Sequence, residues 1–319
     1  MIYESLIYSV IIIVLAVVID TIFGEVPDKI HPVIYMGNVI EKLKNYLPKT
    51  RFSGLLTIIT TNFIFVTLTL LLLIISLFIN KYLYIIIAAI ILSTTFSIKF
   101  LIQSVKDIQI QLKKDINIAR KSMSYLVSRD TEQLTEARIA SAAIETLTEN
   151  ITDSIISPLF YVLVFSIPFG MIPAILIGVI YRVSNTMDAM LGYQTEELID
   201  IGRYPALLDD VLNYIPARIT GIYVIIASAL LRYDYKSSYT MMRKYATKTP
   251  SPNSGYSMAA TAGALNITLV KEGVYTLGEG TEELTGDKIQ QAIEITKLTS
   301  VLFILTMLVI YFIAAMLII

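Results

Sequence analysis

Three short stretches of this chain concentrate carboxylates and carboxamides beside apolar sequence, one helical turn apart. They hold Glu145, Glu149, Asn150 and Asp153, then Asn185 and Asp188, then Asp209, Asp210 and Asn213. On a helix, Arg138, Glu145, Glu149 and Asp153 fall within about 80° of one another, because each residue turns by about 100°. Like charges one turn apart repel unless a cation sits between them. Oxygen-only ligand sets of this kind suit Mg²⁺, which takes carboxylates, waters and phosphate oxygens. Arg129, Arg182 and Arg218 each lie near an acidic stretch, and fork donors beside such a cluster suit a phosphorylated substrate. The plainer alternatives are a solvated helix face, caps or inter-helix bonds for the asparagines, and membrane-edge anchors for the arginines.

Two further stretches carry polar groups. Asp20, Gly24 and His31-Pro32 follow the first apolar run, and Ser251-Pro-Asn253 forms a rigid turn that exposes hydroxyl and amide groups. His31 is the one histidine. It is a candidate general base, with an unperturbed pKa of about 6.5, or a helix cap.

The elements that must position these groups are membrane helices. Hydrophobic residues make up 55% of the chain and charged residues 16%, with mean hydropathy +0.69. Leu55–Ile79 and Leu298–Ile319 are uncharged and long enough for a hydrocarbon core of about 30 Å at about 1.5 Å per residue. The expected fold is all-α and polytopic, one integral membrane domain over 1–319 with about four to six embedded helices. The spans are placed at about 3–23, 55–79, 82–102, 155–181, 214–231 (a short one) and 298–319. Polar regions with helical content fill 24–54, 103–154, 182–213 and 232–297. Residues from about 131 to 150 read as helical, with Asp130 or Thr131 as cap. Pro168-Phe-Gly170 interrupts 155–181, so a break near 166–170 is expected, as a kink or a hairpin of two half-helices.

Charge layout suggests orientation. Residues 24–54 carry five Lys/Arg, and 99–154 and 232–297 eight each, whereas 182–213 carry two against six acids. The positive-inside rule puts the three basic regions in the cytoplasm. With 155–181 as a hairpin and 219–231 as an interfacial helix, all polar regions share that side. Absent cysteine excludes disulfides, thiolate catalysis and Cys-type metal sites. Neither a P-loop nor a dinucleotide fingerprint occurs. With no basic stripe and a pI of about 6.0, nucleic acid is not an expected partner.

The ordered set Asp20…Gly24…His31-Pro32, Arg129-Asp130-Thr131, Glu145…Glu149-Asn150…Asp153…Ser157-Pro158, Tyr181…Asn185-Thr…Asp188…Gly192-Tyr193, Asp209-Asp210…Asn213…Pro216-Ala-Arg218 and Ser251-Pro-Asn253 resembles the CobD/CbiB family. These are membrane-bound adenosylcobinamide-phosphate synthases of cobalamin biosynthesis, and the similarity runs from about residue 15 to 290. Ser128, Ser141, Gln194 and Leu207 stand where the family usually has Gly, Arg, Lys and Arg. Arg138 is one turn from Ser141 and could substitute. The resemblance implies a multi-pass protein of the cell membrane and an ATP- and Mg²⁺-dependent amide ligase. It would join adenosylcobyric acid to an amino-alcohol phosphate such as aminopropanol phosphate. Other corrinoid-pathway enzymes are candidate partners. On that reading His31, Glu145, Glu149 and Asp188 are catalytic. Arg129, Asp130, Asn150, Arg182, Asn185, Asn213, Arg218, Ser251 and Asn253 contact substrate or phosphate. Glu149, Asp153, Asp188, Asp209 and Asp210 face Mg²⁺. Two rivals remain, an intramembrane Mg²⁺-dependent prenyltransferase and a secondary transporter.

Overall fold

A computed structural model describes residues 2–317; the last two positions of the 298–319 span lie outside the described residues. The chain is helical apart from one small hairpin, in the order α1 (Ile2–Phe23), α2 (Pro32–Tyr46), α3 (Arg51–Ile79), α4 (Lys81–Ser93), α5 (Ile98–Leu112), α6 (Ile116–Ser124) and α7 (Glu136–Ile151). There follow a π-helical turn (Thr152–Ile156), α8 (Ser157–Phe169), α9 (Met171–Leu191), α10 (Arg203–Leu230), α11 (Tyr235–Tyr245) and α12 (Gly255–Ala264). The antiparallel strands β1 (Leu269–Lys271) and β2 (Tyr275–Leu277) and the long α13 (Gly286–Met316) complete it.

Seven helical segments among the described residues are long and apolar enough to cross a membrane. This is a multi-pass membrane protein. The expectation was about four to six, and the difference has local causes. Segment 155–181 is two helices: α8 ends at Gly170, whose φ of 83° is open to glycine and strained for other residues. The chain turns there, and α9 packs back along α8. Residues 214–231 are the second half of α10, which begins at Arg203 and is itself of spanning length.

Pro216 inside α10 removes the N–H that would meet the carbonyl of Leu212. The Tyr161 hydroxyl donates to that carbonyl at 2.8 Å. The orphaned acceptor is satisfied, and the helix runs on through the proline. Between α3 and α4 a single residue makes the turn. Asn80 closes α3 with its N–H and caps α4 with its side chain, Tyr82 N–H donating to Oδ1 at 2.7 Å.

The chain forms two compact units. The first comprises Met1–Lys99, Ser157–Leu212 and Thr306–Ile319. Its core includes Met36 and Ile40 of α2 against Val179, Val183, Met187 and Leu191 of α9. The second comprises Phe100–Ile156 and Asn213–Leu305. There α11 and α12 pack closely, and α12, built largely of Ala, Gly, Ser and Thr, is wholly buried along its length apart from one half-buried tyrosine.

Candidate functional site

In the second unit, α7 begins at Glu136, with Thr135 as its cap, later than the 131 expected. Asp130 instead accepts the Glu132 N–H at 2.9 Å, an Asx turn in the preceding loop, and the Thr131 hydroxyl donates to the Arg120 carbonyl at 2.9 Å. Helical spacing then carries Glu145 to the buried side of α7, where it is 3% exposed. Its Oε1 accepts the Ser141 hydroxyl at 2.7 Å, and its Oε2 accepts from Arg129 at 3.1 Å and from the Tyr275 hydroxyl at 3.0 Å. Ser141 also accepts the Val270 N–H at 3.2 Å, so one hydroxyl links β1 to the carboxylate. Burial first, then the charges of Glu145 and Glu149, push the Tyr275 phenol up from its ordinary 10.0. It is therefore held neutral and able to donate. Both carboxylate oxygens are engaged, the arrangement a buried charge requires.

Arg138 does not join this group. It pairs with Glu272 at 2.6 Å, because the β1–β2 turn brings that acid to the first turn of α7. Asn150 turns its amide to the Thr146 carbonyl of its own helix at 2.9 Å. Glu149 acts electrostatically on Tyr275. Asp153 lies in the π-helical turn, a backbone feature common at functional positions.

Also in this unit, the Arg218 guanidinium lies 3.4 Å from the ring centroid of Tyr214 and 4.5 Å from that of Tyr256. It donates to Asn253 Oδ1 at 3.1 Å and to the Tyr214 carbonyl. The Asn253 N–H in turn donates to Ser251 Oγ at 3.3 Å. Two sequence stretches expected to share a role are therefore joined side chain to side chain, with Asn213 buried on α10 nearby in sequence. Stacking between two rings holds the cation in place while leaving its charge intact.

In the first unit, Asn185 on α9 donates to Asp209 on α10 at 3.4 Å. Asp188 is one turn on, its carboxylate against the backbone of Gly192, where a Cβ would collide with it. Asp210 is adjacent to Asp209 on α10 and is half-exposed. Arg182 lines an otherwise mainly apolar cavity of about 500 Å³ bounded by α2, α3, α4 and α9. Asp20 and Gly24 have a structural task. Asp20 Oδ2 accepts the N–H groups of Ile98 and Lys99, each at 3.1 Å, and so caps α5 from α1. Gly24, at φ 77°, sits where a Cβ would press on the Lys99 side chain, and the Lys99 ammonium donates to the Ile22 carbonyl at 2.6 Å. His31 is the N-cap of α2, with Nδ1 accepting from Val33 N–H at 3.2 Å and Nε2 3.9 Å from Glu25. It thus fills the helix-cap role, one of the two that the sequence allowed.

The described residues contain no group of three or more His, Asp or Glu side chains set to hold a metal ion. Pairs such as Asn185 with Asp209 still fit Mg²⁺, which commonly takes one or two protein oxygens and fills its shell with water and phosphate.

The CobD/Cbib protein family model matches residues 13–305. The chain belongs to that family. Among its relatives, the probable cobalamin biosynthesis protein CobD of Methanothermobacter thermautotrophicus is 44% identical over 92% of this chain and 95% of the relative. The proteins of the same name from Methanococcus aeolicus and Methanocaldococcus jannaschii are 41% and 38% identical, over 85% and 92% of this chain and 88% and 96% of the relatives. No solved structure matches the chain. Membership in the CobD/Cbib family makes this a biosynthetic protein of the cobalamin pathway.

Several residues of these candidate clusters escape sequence reading. Tyr275 is 130 positions from Glu145, on a hairpin too short to show an alternating pattern. Tyr256 reaches Arg218 only through the fold of α12. Tyr214 could have been found, since it stands four residues before Arg218 on a helix, the spacing at which side chains meet.

Proposed function

We propose that this protein is an ATP-dependent amide ligase that joins adenosylcobyric acid to an amino-alcohol phosphate such as aminopropanol phosphate, giving adenosylcobinamide phosphate. The observation that carries the reading is the Arg218–Asn253 pair at 3.1 Å. It unites two family motifs around a cation whose geometry suits a phosphate oxygen. The family match over residues 13–305 supports it independently.

A carboxylate is a poor acyl donor. In the proposed reaction its oxygen attacks the γ-phosphorus of ATP, ADP leaves, and an acyl phosphate forms. The amine then attacks the acyl carbon, phosphate departs, and the nitrogen loses a proton to a base. Arg129, Arg182 and Arg218 serve as phosphate contacts, where fixed cations offset charge developing on the transferred group. Glu149 or Asp188 takes the amine proton. Glu145, with both oxygens engaged, positions Arg129 and Tyr275. Mg²⁺, held by Glu149 and Asp153 or by Asp188 and Asp209 together with phosphate oxygens, would supply charge neutralisation. Asp130, Asn150, Asn185, Asp210, Asn213 and Ser251 complete the proposed polar surroundings. The protein is placed in the cell membrane with its three basic regions cytoplasmic.

The test is product formation by purified protein in lipid, supplied with ATP, Mg²⁺, adenosylcobyric acid and aminopropanol phosphate. Glu149→Ala and Asp188→Ala are expected to lower kcat by about 100-fold or more, the range of a lost general base. Near-wild-type rates in both variants would overturn the assignments. Transfer from a labelled prenyl diphosphate, with no ATP-dependent product, would overturn the ligase itself.

A further inference from the structure

Between the membrane segments ending at Leu112 and beginning at Glu136 lies a polar cavity that none of the acidic motifs accounts for. Its volume is about 590 Å³, and α6 and the 129–133 loop form its walls. Arg120 and Lys121 of α6 line it, with Arg129 from the loop, and Asn117 and Ser124 add an amide and a hydroxyl. Two acids, Asp130 and Glu132, also line it, but the Asp130 carboxylate accepts the Glu132 N–H and is partly used in the turn.

A solvated loop would account for the charges alone. It would not account for how firmly the cations are set. The Arg120 guanidinium donates to the Leu134 carbonyl at 2.9 Å and to Asn117 at 3.0 Å, while its own carbonyl accepts the Thr131 hydroxyl. Arg129 is held at its tip by Glu145, and its Nε is a buried donor with no hydrogen-bond partner. Such a donor is costly to leave unmet. Two guanidinium groups held in place, with the exposed Lys121 ammonium beside them, around a cavity of this size form an anion site of the kind phosphoryl oxygens fill.

We propose that the cavity formed by Asn117, Arg120, Lys121, Ser124 and Arg129 binds the phosphoryl group of a phosphorylated co-substrate. This rests on the ligase reading and deepens it. The ligand chemistry is a phosphate ester or polyphosphate dianion, and it has two sources in that reaction, ATP and the amino-alcohol phosphate.

The variants are Lys121→Glu, at an exposed position on α6, and Arg120→Lys, which keeps the charge but loses the fork. Steady-state rates with each co-substrate varied in turn are expected to show KM for one of them raised at least about tenfold, steeply with salt, and kcat little changed. A rise for ATP identifies the nucleotide as the occupant, and a rise for aminopropanol phosphate identifies the acceptor. Unchanged KM for both, in variants that keep wild-type thermal stability, overturns the proposal. If the wild type forms no product, the ligase reading falls separately. Binding of trinitrophenyl-ATP and of aminopropanol phosphate to the lipid-reconstituted protein then decides the site. Weakening of either by about tenfold in Lys121→Glu supports it, and equal binding in variant and wild type overturns it.

Discussion

Asp20 and Glu145 are both buried carboxylates, 1% and 3% exposed, and the two units treat them differently. In the first unit Asp20 meets two backbone N–H groups through one oxygen, and its Oδ1 has no hydrogen-bond partner. In the second, Glu145 meets a guanidinium, a phenol and a hydroxyl, and both oxygens are engaged. Helix-end amides suffice where the carboxylate only has to hold α5 in place. A cation and two hydroxyls converge where α7, the Arg129 loop and the β1–β2 hairpin must be kept in one arrangement. Identical chemistry in the sequence thus serves joinery in one unit and a charged cluster in the other.

The sharpest way to break this comparison is Arg129→Ala. It strips the cation from buried Glu145 and should destabilise the protein by about 3 kcal/mol, the usual scale for one lost partner of a buried pair. Thermal unfolding in detergent would report it. Asp20→Ala should cost less, about 2 kcal/mol, since it frees two amides that had a charged acceptor, and Asp20→Asn should recover part of the loss. A larger drop for Asp20→Ala than for Arg129→Ala would reverse the ranking of the two sites. Tyr161→Phe comes next, at about 1 kcal/mol, for leaving the Leu212 carbonyl unmet beside Pro216.

The smallest effect concerns pH. Burial and two acids raise the folded-state pKa of Tyr275 above its unfolded value of 10.0. The neutral phenol's contribution is therefore intact below about pH 10 and is lost as pH rises toward the folded value. Tyr275→Phe should unfold with the same pH profile as wild type below that point and show a shallower decline above it. Parallel profiles across the alkaline range would remove Tyr275 from the Glu145 cluster.

Much of the fold could be read directly. Uncharged runs of 25 and 22 residues can lie only in a membrane or a deep core, so α3 and the end of α13 were expected. Pro168 and Gly170 announced the α8–α9 break, although hairpin and kink were equally open until packing of α9 on α8 resolved them. The extent of α10 was not legible, because Pro216 reads as a stop and only Tyr161, 51 positions from Leu212, supplies the compensating bond. Among the site residues, the joining of Arg218 to Asn253 followed the motif order. The partners of Asp20 and Arg138 were not legible, since the backbone of Ile98 and Lys99 and the Glu272 carboxylate reach them only through the fold, whereas His31 takes the helix-cap position that its place before Pro32 allowed.

Composition and periodicity by themselves determined that this chain is a helical membrane protein, and motif order assigned it to its family. Both are properties of local sequence and of the solvent that each helix face must meet. Only tertiary structure decided which buried carboxylate caps a helix and which is charge-paired. That choice depends on which distant N–H, hydroxyl or guanidinium the folded backbone delivers to within about 3 Å, a distance that sequence separation does not encode.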